Sequence, residues 1–123
     1  MWDDLERERP ADANLRLWLE EAESTFGQRI EVIVVGVHPS RTAKAAPEPD
    51  ENVVLTREQG LAKLDADFAC GHGGLNCFPV YAWTESWVLF VHEYDGATKL
   101  AWVPRNPVAC TPKFSGDKTE DSD

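Results

Sequence analysis

Residues 78–103 read as three consecutive strands broken by two tight-turn signals, and this stretch limits the fold more than any other part of the chain. Phe78–Thr84, Trp87–Tyr94 and Thr98–Val103 are rich in aromatic and β-branched residues, which suit a pleated, half-buried surface. Glu85-Ser86 joins the first pair. Asp95-Gly96 joins the second and is a strong hairpin signal, because both central positions tolerate φ > 0. Connections this short make neighbouring strands antiparallel, so the predicted unit is a meander. Pro104, Pro107 and Pro112 stop further pairing, and residues 113–123 read as a disordered acidic tail.

Upstream, Leu15, Trp18, Leu19, Ala22 and Phe26 fall on one stripe at helical period, predicting a helix over residues 11–26. Asp12 is placed to cap its start and Gly27 to stop it. Its other face carries Arg16, Glu20, Glu21 and Glu23. Residues 2–9 suggest a short helical turn, with Trp2 and Leu5 against the core. Ile30–Val37 is β-branched and nearly all apolar, as in a strand with neighbours on both sides. Residues 38–52 lose periodicity around Pro39, Pro47 and Pro49 and read as a flexible loop. Thr56-Arg57-Glu58-Gln59 matches a capping box. It opens a second helix with Leu61, Leu64 and Phe68 buried and Gly71, Gly73 and Gly74 at its end. The element order α-β-α-β-β-β predicts one α+β domain over residues 1–112. Its antiparallel sheet has about four strands, with two helices packed on one face.

Charge narrows the function. With 22 Asp plus Glu against 12 Lys plus Arg, the net charge is −10. Such a field repels nucleic-acid phosphates and anionic membranes and speeds encounter with basic protein surfaces. It is concentrated early: residues 1–26 hold eight acids against three arginines, a net of −5. The partner predicted is therefore another protein with a basic surface, with no direct nucleic acid and no membrane. The acidic start Met1-Trp2-Asp3-Asp4 is unlike a secretory signal, and three cysteines are too few for a stapled secreted scaffold. A reduced, cytoplasmic setting is the expectation.

Chemistry has one local candidate, Cys70-Gly-His72-Gly-Gly-Leu-Asn-Cys77. Thiolate and imidazole are the usual zinc ligands, and Cys110 or His92 could complete a set of four with Cys70, His72 and Cys77. The competing explanation is a glycine-rich helix end with Cys70 and Cys77 as small buried hydrophobes. No cofactor is expected unless this loop holds zinc. A Cys77–His92 nucleophile pair would need an orienting third group that the sequence does not place. Phosphate-binding, dinucleotide-binding, zincin, nucleophile-elbow and EF-hand signatures are all missing from the sequence, which shifts weight from catalysis to binding. Aromatic residues gather on the meander, and alternation sets Tyr81 and Trp83 opposite Val80 and Ala82. Tyr81, Trp83 and Trp87 are candidate anchors for a protein partner, beside Asp12, Glu20, Glu21 and Glu23 as its charged contacts.

The block from Tyr81-Ala-Trp-Thr-Glu-Ser-Trp to Val103-Pro-Arg-Asn-Pro107 resembles small acidic proteins of phages and other mobile elements in high-GC bacteria. The resemblance spans at most residues 54–107 and carries no catalytic residues. It implies an accessory protein, of the kind that inhibits host CRISPR or restriction machinery, some by mimicking DNA. The alternatives are a zinc- or thiol-dependent protein using the Cys70/His72/Cys77 loop and a structural component that self-assembles through a sheet edge.

Overall fold

The computed structural model describes residues 12–41, 46–69, 77–94 and 97–118. Among them run β1 (Asp12–Asn14), α1 (Leu15–Phe26), β2 (Val32–Val35), β3 (Val54–Thr56), α2 (Arg57–Lys63), β4 (Asp67–Ala69), β5 (Val80–Trp83), β6 (Trp87–Tyr94), β7 (Ala97–Pro104) and β8 (Asp117–Lys118). Six strands form one sheet in the order β3-β2-β5-β6-β7-β8, each pair antiparallel, and β1 pairs with β4 in a separate two-stranded sheet. The chain is thus an α+β domain. The meander expected from residues 78–103 is present as β5-β6-β7, and β2 lies inside the sheet.

The apolar stripe of α1 is buried at Leu15, Leu19 and Ala22, with Trp18 and Phe26 packed against the core. Its start corrects the sequence reading. Asn14, not Asp12, caps the helix: Asn14 is extended (φ −145°, ψ 116°) and its side chain accepts the Leu17 N–H at 3.2 Å. Asp12 lies two residues too early, with its backbone in β1 opposite Ala69. Gly27 ends the helix at φ 67°, as expected.

The capping box at α2 is complete. Thr56 Oγ1 accepts the Gln59 N–H at 3.1 Å, and Gln59 Oε1 accepts the Thr56 N–H at 3.0 Å. The helix is only seven residues long, however, so Leu64 and Phe68 do not extend its stripe. Leu64 closes it, and Phe68 sits on β4, edge-on to Trp18 at 5.6 Å between centroids. The cause is Asn14, whose Nδ2 donates to both Asp65 and Asp67 at 3.1 Å and so draws the chain after α2 into extended pairing with β1. The glycines expected to end this helix, Gly71, Gly73 and Gly74, lie outside the described residues, as do residues 2–9.

Both helices cover one face of the large sheet, where Ile33, Val35, Val80, Ala82, Leu89 and Leu100 are buried. Gly60 explains how closely α2 approaches: a Cβ there would stand 2.6 Å from Ile33 Cβ and 2.8 Å from its Cδ1. Alanine is the better helix former by about 1 kcal/mol, yet overpacking a core costs about 1–3 kcal/mol. Gly60→Ala is therefore expected to lose stability, by up to about 2 kcal/mol net, in urea unfolding. An increase in stability would show that α2 can slide away from β2.

Two further differences concern the loop and the tail. Residues 38–52, expected to be one flexible loop, return to the body at Glu51, which is buried, and the Asn52 N–H bonds to Val35 O at 2.8 Å. The disordered tail expected over residues 113–123 is corrected at its start, because Asp117 and Lys118 pair with Trp102 and Ala101 on β7; residues 119–123 lie outside the described residues. Asp95 and Gly96 lie outside the described residues, but the register Tyr94↔Ala97 leaves just these two as the connection.

Candidate functional site

Two surfaces stand out, on opposite sides of the molecule. The first is acidic and begins at the cap of α1. Asn14 is buried and uses its whole amide, with one acceptor on Leu17 N–H and two donors on the carboxylates of Asp65 and Asp67. Arg16 on the first turn reaches Glu20 at 3.3 Å and Asp65 at 3.5 Å. Glu21, the next position along, is exposed. Glu20, Asp65 and Asp67 thus gather around Asn14 and Arg16, with the exposed Glu21 next to Glu20 in sequence, and the charge of Glu20 also acts on Arg57. Asp65 and Asp67 escaped sequence reasoning, since nothing local links them to α1. Their spacing, Asp-x-Asp after a short helix, was the available signal.

Glu23 does not belong to this edge, which corrects its placement as a partner contact. Its carboxylate receives Arg57 Nε at 2.8 Å and Arg57 Nη2 at 2.7 Å, and it also accepts the Ile30 N–H at 2.8 Å. Both side chains are largely buried between α1 and α2. Burial alone would raise the Glu23 carboxyl, but hydrogen bonds from Arg57 and Ile30, with the charges of Arg57 and Arg29, hold it below its ordinary value of 4.5. This pair joins the helices and offers nothing outward. The side chain of Asp12 lies outside the described set, so the partner contact expected of it is not placed.

A second carboxylate group, Glu48, Asp50 and Glu51, brings oxygens within 4.8 Å of one another, the spacing of a cation site. The cation at its centre is the protein's own. Lys63 Nζ lies 3.3 Å from Glu48, 3.0 Å from Asp50 and 3.5 Å from Glu51, and 5.0 Å from the Phe78 ring centroid. Arg41 adds a 2.6 Å contact to Glu51 Oε1. The Glu48 N–H lowers the Glu51 carboxyl, burial opposes it, and Arg41 and Lys63 add to the lowering. Burial pulls Lys63 down, while Asp50 and Glu48 outweigh it and set it above 10.5. The group is a structural anchor for the end of the 38–52 segment.

The other surface is the sheet face away from the helices. Register places Val34, Tyr81 and Phe90 in one outward row and Val32, Trp83 and Val88 in the next, flanked by Val54 on β3 and Val103 on β7. Tyr81 is 56% exposed and Val54 69%, and Trp83 stands edge-on to Tyr81 at 6.0 Å. Tyr81 and Trp83 therefore lie opposite Val80 and Ala82, as alternation required. Trp87 does not join them. It points to the helix side and stacks on Phe26 at 5.6 Å, while Trp102 meets the same ring edge-on at 5.1 Å. Its placement as an outward anchor is corrected: odd positions of β6 face the core, with Leu89 opposite Trp102.

Of the zinc ligands considered, Cys70 and His72 lie outside the described residues. Cys77 is buried in the core cluster and Cys110 is exposed. His92 takes an outward strand position opposite Lys99, with its Nε2 buried and without a hydrogen bond. An open cleft of about 530 Å³ lies between residues 27–31, residues 56–58 and Glu85. Its arginines are committed to carboxylates, Arg29 to Glu58 at 3.1 Å and Arg57 to Glu23, so it gathers ion pairs rather than a nucleophile with its base.

The fold and its surfaces define a strongly acidic α+β domain with an acidic helical edge and an apolar open sheet face. No family model, curated protein or solved structure matched the chain in comparison. Among the described residues, no helix is long and apolar enough to cross a membrane.

Proposed function

We propose that this protein is a non-catalytic inhibitor or adaptor that docks through its acidic helical edge on the basic surface of a nucleic-acid-binding protein. One observation carries the reading: Asn14 and Arg16 gather Glu20, Asp65 and Asp67 from two distant segments beside Glu21, leaving a local excess of carboxylate on an outward edge. Carboxylates so placed would take phosphate positions opposite Arg and Lys, and the −10 field would speed encounter. Proteins of this kind fit the accessory, anti-CRISPR or anti-restriction role that the resemblance to mobile-element proteins implies, in the cytoplasm of a host cell.

The test is capture from a high-GC bacterial lysate at low and high salt, using the wild type and a Glu20→Lys, Glu21→Lys, Asp65→Lys variant. The expected catch is one or a few basic nucleic-acid-binding proteins, eluted by salt and lost with the variant. Added protein should then weaken the captured partner's hold on nucleic acid. An unchanged catch with the reversed charges would remove the proposal.

A further inference from the structure

We infer that residues 46–53 are an acid-opened strap, latched to the body by the ion pairs around Glu51 and released as a unit while the sheet stays folded. The evidence lies in what this stretch buries. Among the described residues between Val35 and Leu55, Glu51 is the one buried residue, and the apolar core draws on nothing between those two positions. Regions with few buried apolar contacts open locally, at a smaller free energy than the whole domain. Hydrophobic packing does not close this stretch. Charge does.

The groups around the Glu51 carboxylate come from three places. Within the strap, the Glu48 N–H donates to Oε1 at 2.9 Å. From the preceding segment, Arg41 Nη1 donates to the same oxygen at 2.6 Å, and the Arg41 guanidinium also lies 4.0 Å from Glu48. From α2, Lys63 Nζ pairs with Oε2 at 3.5 Å, an oxygen that is buried and has no hydrogen bond. Glu48 and Asp50 share that ammonium at 3.3 and 3.0 Å. His38 stands edge-on to the Phe78 ring at 5.0 Å, and Lys63 lies over the same ring. The Glu48 N–H, with Arg41 and Lys63, holds the Glu51 carboxyl below 4.5 against its burial. The latch is therefore complete above that value and weakens as the pH falls through the lower folded value, where Glu51 takes up a proton and both cations lose their partner. Closed, the strap leaves the Lys63 side chain only 12% exposed. Open, it uncovers an ammonium beside an aromatic ring, a local reversal of sign on a chain of net charge −10. The inference does not depend on what the acidic helical edge binds.

Amide hydrogen exchange of the full chain tests it. The reporter is the Asn52 N–H, which bonds to Val35 O at 2.8 Å. At about pH 7, Glu51→Gln sets a neutral side chain of the same shape in the latch, and the Asn52 amide should exchange at least about tenfold faster. The amides of β5, β6 and β7 should keep their wild-type rates. In the wild type, Asn52 protection corrected for the intrinsic exchange rate should fall between about pH 6 and about pH 3.5, ahead of any change in tryptophan emission. Asn52 protection that survives Glu51→Gln overturns the inference. So does protection lost from Asn52 and the sheet amides together, which would make Glu51 one more member of a single cooperative unit. Wild-type protection that holds in acid until the whole domain unfolds overturns it as well.

Discussion

Arg57→Ala is expected to destabilise the protein by about 3 kcal/mol at pH 7, the usual cost of stranding one member of a buried ion pair. The Glu23 carboxylate would keep only the Ile30 N–H as a hydrogen-bond donor in a largely buried site. Its burial would then dominate and raise its pKa, so the penalty should shrink as the pH is lowered and the group accepts a proton. The wild type should behave in the opposite sense. Glu23 and Glu51 are both held below 4.5, so the stability they confer is complete above that value and is lost as the pH falls through their lower folded values. Lys63 is raised, so its share is complete below 10.5 and is lost above it. Melting temperatures across pH should show a plateau between these limits. Replacing both partners, as in Glu23→Gln with Arg57→Met, should recover much of the loss. A single-variant penalty below about 1 kcal/mol would mean that water reaches Glu23 freely.

Phe26→Ala should cost a comparable amount, about 3 kcal/mol. The Phe26 ring closes the C-terminal end of α1 over the sheet, stacked on Trp87 and edge-on to Trp102. Its loss removes two aromatic contacts, each worth about 0.5–1.5 kcal/mol beyond area, together with the transfer energy of the ring. Trp87 and Trp102 gain water, so emission should shift to longer wavelength in the native state. Unchanged emission with unchanged denaturant midpoint would show that Trp87 is held by the strand alone.

The parts of the fold legible in the sequence are those written in short-range pattern. The α1 stripe, the Thr56 capping box and the β5-β6-β7 meander depend on residues within a few positions of each other, and each formed. What was missed depends on distance. Phe68 follows Leu64 by one helical turn, and nothing nearby reveals that Asn14, fifty residues earlier, claims Asp65 and Asp67 and straightens the chain between them. The same holds for β8, whose two residues gain strand geometry only from the β7 edge. The candidate site shows this division plainly. Charge counting picked out Glu20, Glu21 and Glu23 together because they are adjacent, but only tertiary structure separates Glu23, which faces Arg57, from its neighbours. Alternation sorted Tyr81 and Trp83 correctly. It would have sorted Trp87 too, had the β6 parity been tied to Leu89.

The two-residue strand β8 has a consequence out of proportion to its length. It hydrogen-bonds along the outer side of β7, an eight-residue strand carrying Leu100, Ala101, Trp102 and Val103. Clipping the chain ahead of Asp117 would bare that row of amide and carbonyl groups beside an already apolar face. A bare edge of this kind recruits strands from other molecules. Storage of such a shortened chain should yield thioflavin-positive material under conditions where the longer one stays clear, which makes proteolytic trimming of the C-terminal segment the first hazard to watch in handling this protein.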